Sequence, residues 1–231
     1  MGYFSENSSI DAPRWRNHIV SCVVNQSDFH RHHIASLDSF DIRISVLDII
    51  HVFQHPPPQP IPSSFDRKGP EYFIEAAKMV LNKMNTVRFV MAGSGDMMNA
   101  MVSRVSELGI ADRFHFTGFL KGNDVSQMFE MTDVFVMPSV SEPFGIVPLE
   151  AMRAGVPVII SNQSGVAEIL ENAIKIDFWD TFAMADAIYG LLSYPSLAQF
   201  FKEQGIREVG NLKWKNSAEQ VQKVYQSALN L

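Results

Sequence analysis

From residue 70 onward, apolar positions recur along the chain with two alternating periods. Pro70 suits the first turn of a helix, and Phe73, Ala77, Val80 and Met84 come after it at the spacing that turns one helical face to a core. The period then changes. VRFVMAG, residues 87–93, is a short and mostly apolar run closed by Gly93-Ser94-Gly95, the pattern of a buried strand ending in a turn. The same reading predicts a helix around 97–108 closed by Gly109, a strand FHFTG (114–118) and a helix over 124–131. Next come a strand DVFVM (133–137), a helix over 147–154, a strand PVIIS (157–161), a short helix over 166–171 and a strand AIKID (173–177). Strands alternating with ten-residue helical stretches build parallel βαβ units with right-handed crossovers. The expected fold class is α/β: a doubly wound parallel sheet with extra helices at the C-terminal end. The last helix carries an apolar stripe of Trp214, Ala218, Val221, Tyr225 and Ala228.

Upstream the pattern is different. Residues 1–64 contain no lysine, one glycine, six of the seven histidines and six of the twelve prolines. Pro56, Pro57, Pro58, Pro60 and Pro62 form a run that favours an extended spacer. The chain therefore reads as an atypical N-terminal segment, 1–64, poorly ordered or foreign to the rest of the chain, joined to a domain over 65–231.

Composition narrows the classes of function. Of 231 residues 46% are hydrophobic and 19% charged, ample for a buried core and far from a disordered chain. The single cysteine, Cys22, excludes a disulfide scaffold and fits a reducing compartment. A net charge of -6 leaves no basic footprint for nucleic acid. The longest apolar run, ISVLDIIHVF, is too short for a bilayer and is broken by Asp48 and His51. The first sixteen residues lack the apolar stretch of a signal peptide, so a cytoplasmic protein is expected.

In doubly wound sheets, ligands gather at the carboxyl ends of the strands. The loop after DVFVM carries the richest chemistry there: PSVSEPFGIVPLEAMRAGVPVIIS, residues 138–161. Glu142 lies just beyond the strand, and Glu150 stands further on with seven residues between them. Pro148 suits the first turn of a helix that Gly155 ends, so Glu150 projects from that turn. Gly145 lets a ligand approach the backbone, and the N–H groups of Gly145, Ile146 and Val147 offer an anion site. Two carboxylates flanking a phosphate site suit a ligand with a diphosphate in the middle and hydroxyl-rich groups at both ends. A nucleoside diphosphate sugar has that shape.

These motifs resemble the donor-binding, C-terminal half of a retaining GT-B glycosyltransferase of glycosyltransferase family 4, also called group 1. The family's pair of glutamates with seven residues between is matched by Glu142 and Glu150 around PFGIVPL. The likeness continues through EAMRAGVPVI and QSGVAEIL, and upstream through RKGPEYFIEAAK, FVMAGSGDM and FHFTGFL, over roughly 65–231. The resemblance implies that Glu142 contacts hydroxyls of the transferred sugar and that Glu150 binds the ribose. It implies that the backbone from Phe144 through Gly145 and Ile146 to Val147 holds the diphosphate. Lys68 would neutralise the departing phosphate, Gly93 would line the crevice, and the backbone at Phe119 and Leu120 would border the base. Negative charge grows on the leaving phosphate during transfer, so fixed cations and N–H groups lower the barrier. The resemblance implies no metal, and no D-x-D metal-holding pattern occurs in the chain. It implies a hexose donor, an acceptor such as a glycan or lipid-linked sugar, and retention of anomeric configuration.

Two departures accompany the likeness. The family carries an arginine about five residues before the Lys-Gly pair, where this chain has Pro62, Ser63 and Ser64. The family's acceptor-binding N-terminal domain also has no counterpart in 64 residues. The expectation is a truncated lineage that binds donor but transfers weakly or not at all alone, with its last helix left uncovered and prone to self-association. The alternative is a non-catalytic nucleotide-sugar-binding module that needs a partner carrying the acceptor domain; a third reading is a nucleotide-sugar epimerase. Other signals are weaker. Gly93-Ser94-Gly95 lacks the third small residue of a dinucleotide fingerprint, because Met98 stands there. Asp28, His30, His32 and His33 lack metal-ligand spacing and read as a solvated stretch. His115 reads as a packed or edge histidine.

Overall fold

The computed structural model describes residues 18–24 and 68–229, apart from the side chains of Trp214, Asn216 and Ser217. The proline run at 56–62, the histidine-rich stretch at 28–33 and ISVLDIIHVF lie outside the described residues. Among the described residues, six strands form one all-parallel sheet: β1 (His18–Val24), β2 (Val87–Gly93), β3 (Phe114–Gly118), β4 (Val134–Met137), β5 (Val158–Ser161) and β6 (Ile174–Ile176). Their order across the sheet is β3-β2-β1-β4-β5-β6. The chain steps outward one way through β2 and β3, then returns to the far side of β1 for β4. That reversal places the topological switch point between β1 and β4.

Among the described residues, seven α-helices accompany these strands: α1 (Pro70–Lys83), α2 (Met98–Glu107), α3 (Asn123–Met131), α4 (Val147–Arg153), α5 (Thr181–Ser193), α6 (Pro195–Asn211) and α7 (Trp214–Leu229). Alternation along the buried strands feeds two cores. Val134 and Val136 of β4 and Ile159 of β5 face one side, with Phe73 and Val80 of α1, Val105 of α2 and Met184 and Ile188 of α5. Phe135 and Met137, with Val158 and Ile160, face the other, against Met128 and Phe129 of α3 and Ala151 and Met152 of α4. Each large apolar side chain so buried contributes about 1.5–3 kcal/mol relative to exposure. The buried methionines, Met91, Met101, Met137, Met152 and Met184 among them, fill these cores.

The periodicity is realised from α1 to β6, with two differences. The stretch expected as a helix over 166–171 is a single 3-10 turn, Gly165–Glu168, held at its start by the bonds of Gly165 and Val166 to the Glu142 and Phe144 carbonyls and burying Val166 and Leu170. The division at residue 64 also does not match the sheet. His18–Val24, assigned by composition to a foreign segment, is its central strand, paired with β2 on one side and β4 on the other. Val20, Ser21 and Cys22 are fully buried there. The strand is anchored at its start by Asp133, whose Oδ2 accepts the Ile19 N–H at 2.8 Å.

The apolar stripe of α7 is uncovered: Val221, Tyr225 and the neighbouring Val224 and Leu229 are each more than half exposed. Among the described residues, no helix is long and apolar enough to cross a membrane.

Candidate functional site

The loops after β4, β5 and β6 and the first turn of α1 meet at the carboxyl edge of the sheet, next to the switch point. Lys68 and Gly69 lead into α1. Gly69 has φ +60° and forms the helix N-cap, a backbone shape that favours glycine. A methyl group on it would overlap the carbonyl oxygen of Pro138, just past the end of β4. Glycine is thus required both by conformation and by contact, and it brings Lys68 against the β4 loop. Replacing Gly69 by Ala is expected to destabilise the domain by about 2–4 kcal/mol, combining left-handed strain with the clash. Denaturant unfolding would show this as a lower midpoint; an unchanged midpoint would contradict the packing.

Lys68 and Glu142 form an ion pair, 74 residues apart in sequence, with Lys68 Nζ donating to Glu142 Oε2. The Glu142 side chain is only 14% exposed, which makes the pair more than a surface contact. The cation and carboxylate singled out in sequence are therefore neighbours, although only the resemblance had linked them. The main chain around Glu142 is held from below. Glu142 forms a parallel bridge with Ser164, its carbonyl accepts the Gly165 N–H at 2.9 Å, and the Phe144 carbonyl accepts the Val166 N–H at 2.8 Å.

Beyond Glu142 the chain turns into α4 through Gly145, at φ +92°. A Cβ there would crowd the Met137 side chain and Glu142 Cγ at 3.1–3.3 Å. The Ile146 carbonyl accepts the N–H groups of Leu149 and Glu150 at 2.9 and 3.2 Å. The N–H groups of Gly145, Ile146 and Val147 have no such partner among the described residues, so they are available to an anion. Glu150 lies in the first turn of α4, exposed, and its carboxylate makes no ion pair among the described residues. Phe144 and Ile146 are exposed on either side of Gly145.

Gly93, Phe119, Leu120 and Val147 share one small hollow, closed below by Val125 and Met128. Four sequence-predicted positions from three different loops thus converge beside the start of α4. The Lys121 ammonium lies over the Phe119 ring, 5.2 Å from its centroid. Among the described residues, two larger hollows lie elsewhere: one between α1 and α5 around Met79 and Phe182, the other at the amino edge of the sheet around His18 and Asp133. Neither contains a predicted site residue. His115 is exposed on the edge strand β3. Among the described residues, no cluster of three or more histidine, cysteine or acidic side chains is placed to hold a metal.

The rim includes groups that sequence reasoning passed over. Asp177, just after β6, accepts hydrogen bonds from Asn162 Nδ2 and Gln163 Nε2, both at 3.0 Å. Those bonds, with Asn162 first, hold its carboxyl below the ordinary value. The stabilisation they give is present above the unfolded-state value and fades as pH falls through the lowered one. Tyr72, in the first turn of α1, meets the Phe178 ring edge-on at 5.1 Å. Burial, and secondarily the Glu71 carboxylate, raises its hydroxyl above the usual range, so it stays neutral at working pH.

The parallel sheet thus gathers acidic, basic and backbone N–H groups at its switch point, where α/β domains of this kind take their ligands. Residues 62–208 match the family described as Glycosyl transferases group 1, and the chain belongs to that family. It is 33% identical over 170 residues to an uncharacterized glycosyltransferase of Methanocaldococcus jannaschii, covering 71% of this chain and 43% of the relative. It is 32% identical over 145 residues to the 2-deoxystreptamine N-acetyl-D-glucosaminyltransferase of Niallia circulans, covering 62% and 37%. The chain thus spans less than half the length of these curated relatives. Among solved structures it resembles Anabaena HepE in complex with UDP, with TM-score 0.67 and 18% identity over 91% of this chain and 49% of that one. It also resembles the C-terminal domain of the group 1 glycosyl transferase LpcC from Francisella tularensis, with TM-score 0.58 and 26% identity over 64% and 80%.

Proposed function

We propose that this domain binds the nucleotide sugar donor of a retaining hexosyltransferase of glycosyltransferase family 4. The observation that carries the reading is the Lys68–Glu142 pair beside the uncommitted N–H groups of Gly145, Ile146 and Val147. A diphosphate takes its place between the Lys68 ammonium and those N–H groups. It draws Lys68 from Glu142, whose carboxylate then accepts hydrogen bonds from hydroxyls of the transferred sugar. Glu150, exposed one turn on, accepts from the ribose hydroxyls, and the hollow at Gly93, Phe119 and Leu120 receives the base. As the glycosidic bond to the diphosphate breaks, charge grows on the departing phosphate where Lys68 and the N–H groups already point, so no reorganisation is needed at that moment. No step in this scheme calls for a metal. The relatives' names support a transferase, and the Anabaena complex with UDP is compatible with a uridine donor.

Glu150 offers the test of the nucleoside end. A ribose bound through two hydroxyls to a carboxylate loses charge-assisted hydrogen bonds in Glu150→Ala, about 1.5–3 kcal/mol in all. Isotherms for UDP, GDP and ADP are expected to show one nucleotide preferred by the unaltered chain and bound about tenfold or more weakly by the variant. Equal binding by both proteins would sink the ribose assignment. The chain spans less than half the length of its curated relatives, and it is expected to bind donor with little transfer of the sugar.

A further inference from the structure

Lys68 and Glu142 sit on loops from distant parts of the chain, and their mutual placement depends on what holds those loops. A third loop, after β6, braces both. On one side, Asp177 Oδ1 accepts from Asn162 and Gln163 of the β5 loop. The Gln163 amide is fixed at its other end, where its Oε1 accepts from Ser161 Oγ at 2.7 Å. Ser164, next in the chain, donates its hydroxyl to the Ser161 carbonyl at 2.7 Å. It is Ser164 and Gly165 that bridge to the Glu142 main chain. The contact there is tight, since a methyl group on Gly165 would overlap the Pro143 carbonyl oxygen.

On the other side, Phe178, directly after Asp177, meets Tyr72 edge-on. The Tyr72 N–H donates to the Gly69 carbonyl at 3.2 Å, and its ring edge lies against Gly69. Gly69 is joined to Lys68. A circuit therefore closes from Asp177 through the β5 loop to Glu142, across the ion pair to Lys68, and back through Tyr72 to Phe178.

We propose that Asp177 is a positioning residue for the Lys68–Glu142 pair, acting through Gln163 and the β5 loop. This role rests on the donor-site reading. Asp177 reaches no ligand in this arrangement; it fixes the loop against which Glu142 is laid, and so the direction from which Lys68 meets a phosphate. Its hydrogen bonds are exposed at Asn162 and partly buried at Gln163, away from both cores, where removal costs little global stability. Binding is affected more, because a site on loops is only as well placed as the contacts behind it.

Calorimetric titration of UDP, GDP and ADP, with thermal melting of each protein, tests this. The proteins are the unaltered chain, Asp177→Ala, Gln163→Ala, Lys68→Met and the Asp177→Ala/Lys68→Met double variant. Asp177→Ala and Gln163→Ala are each expected to weaken the diphosphate that the unaltered chain binds by about fivefold, with melting within a few degrees of it. In the Lys68→Met background, Asp177→Ala is expected to add no further loss, because its effect runs through the lysine. A purely structural role would not produce that non-additivity. Unchanged affinity in both Asp177→Ala and Gln163→Ala, or losses that add in the double variant, would overturn the proposal. Should Asp177→Ala melt far lower, Gln163→Ala decides alone. An unaltered chain that binds none of the three overturns the donor-site reading and this proposal with it, an outcome distinct from the others.

Discussion

Lys68→Met is expected to weaken nucleoside diphosphate binding by about ten- to a hundredfold. One charge-assisted contact to phosphate is worth about 1.5–3 kcal/mol, and each 1.4 kcal/mol is a factor of ten. The loss should fall at the upper end, because the variant also leaves the Glu142 carboxylate uncompensated beside a phosphate. Glu142→Gln should behave in the opposite way toward a bare diphosphate. It keeps an acceptor oxygen for Lys68 in the same place and removes only the competing charge, so affinity for the diphosphate is expected to hold or rise by a few-fold. The double variant Lys68→Met/Glu142→Gln should recover part of the single lysine loss. Titration calorimetry on the three variants reads all of this. A Glu142→Gln chain that loses the diphosphate as completely as Lys68→Met would show that the ion pair organises the pocket rather than competing with the ligand.

The largest expected effect on folding lies in the central strand. Val20 is fully buried, paired with Phe89 of β2 and Val134 of β4, and part of the core that α1 and α5 cover. Val20→Asp places a carboxylate there with no cation beside it. Burying an unpaired charge costs several kcal/mol, a large share of the roughly 5–15 kcal/mol by which domains are stable. The variant is expected to lose its cooperative thermal transition. A solvent-facing change, such as Val224→Asp on α7, should leave that transition nearly in place. Equal melting of Val20→Asp and the unaltered chain would mean that His18–Val24 does not complete the sheet.

That strand also shows where the legibility of the sequence stops. From Pro70 to Ile176 each strand and α-helix announces itself by period, since every one returns apolar side chains to one of two large cores. HIVSCVV is rich in β-branched residues, a strand signal, but it is seven residues long and embedded in a segment of contrary composition. Its role as the sheet's centre is visible only through its partners, which lie far along the chain. The functional site divides in the same way. Glu142, Gly145, Pro148 and Glu150 stand close together in one loop and helix start, so their chemistry is legible from spacing. Lys68 was reachable only by resemblance, because its pairing spans 74 residues. Asp177, Gln163 and Tyr72 are ordinary surface or rim residues in sequence, and only the folded loops reveal that they back the pair.

Everything proposed for the site requires that a nucleoside diphosphate bind at the carboxyl edge between β1 and β4. Backbone amide NMR of the unaltered chain, titrated with UDP, GDP and ADP in turn, tests this most directly. Saturable shifts are predicted for at least one nucleotide at Lys68, Gly93, Phe119, Leu120 and the run from Phe144 to Glu150, with the His18–Asp133 end of the sheet unmoved. Saturable shifts confined to that opposite end, or none with any of the three nucleotides, would contradict it.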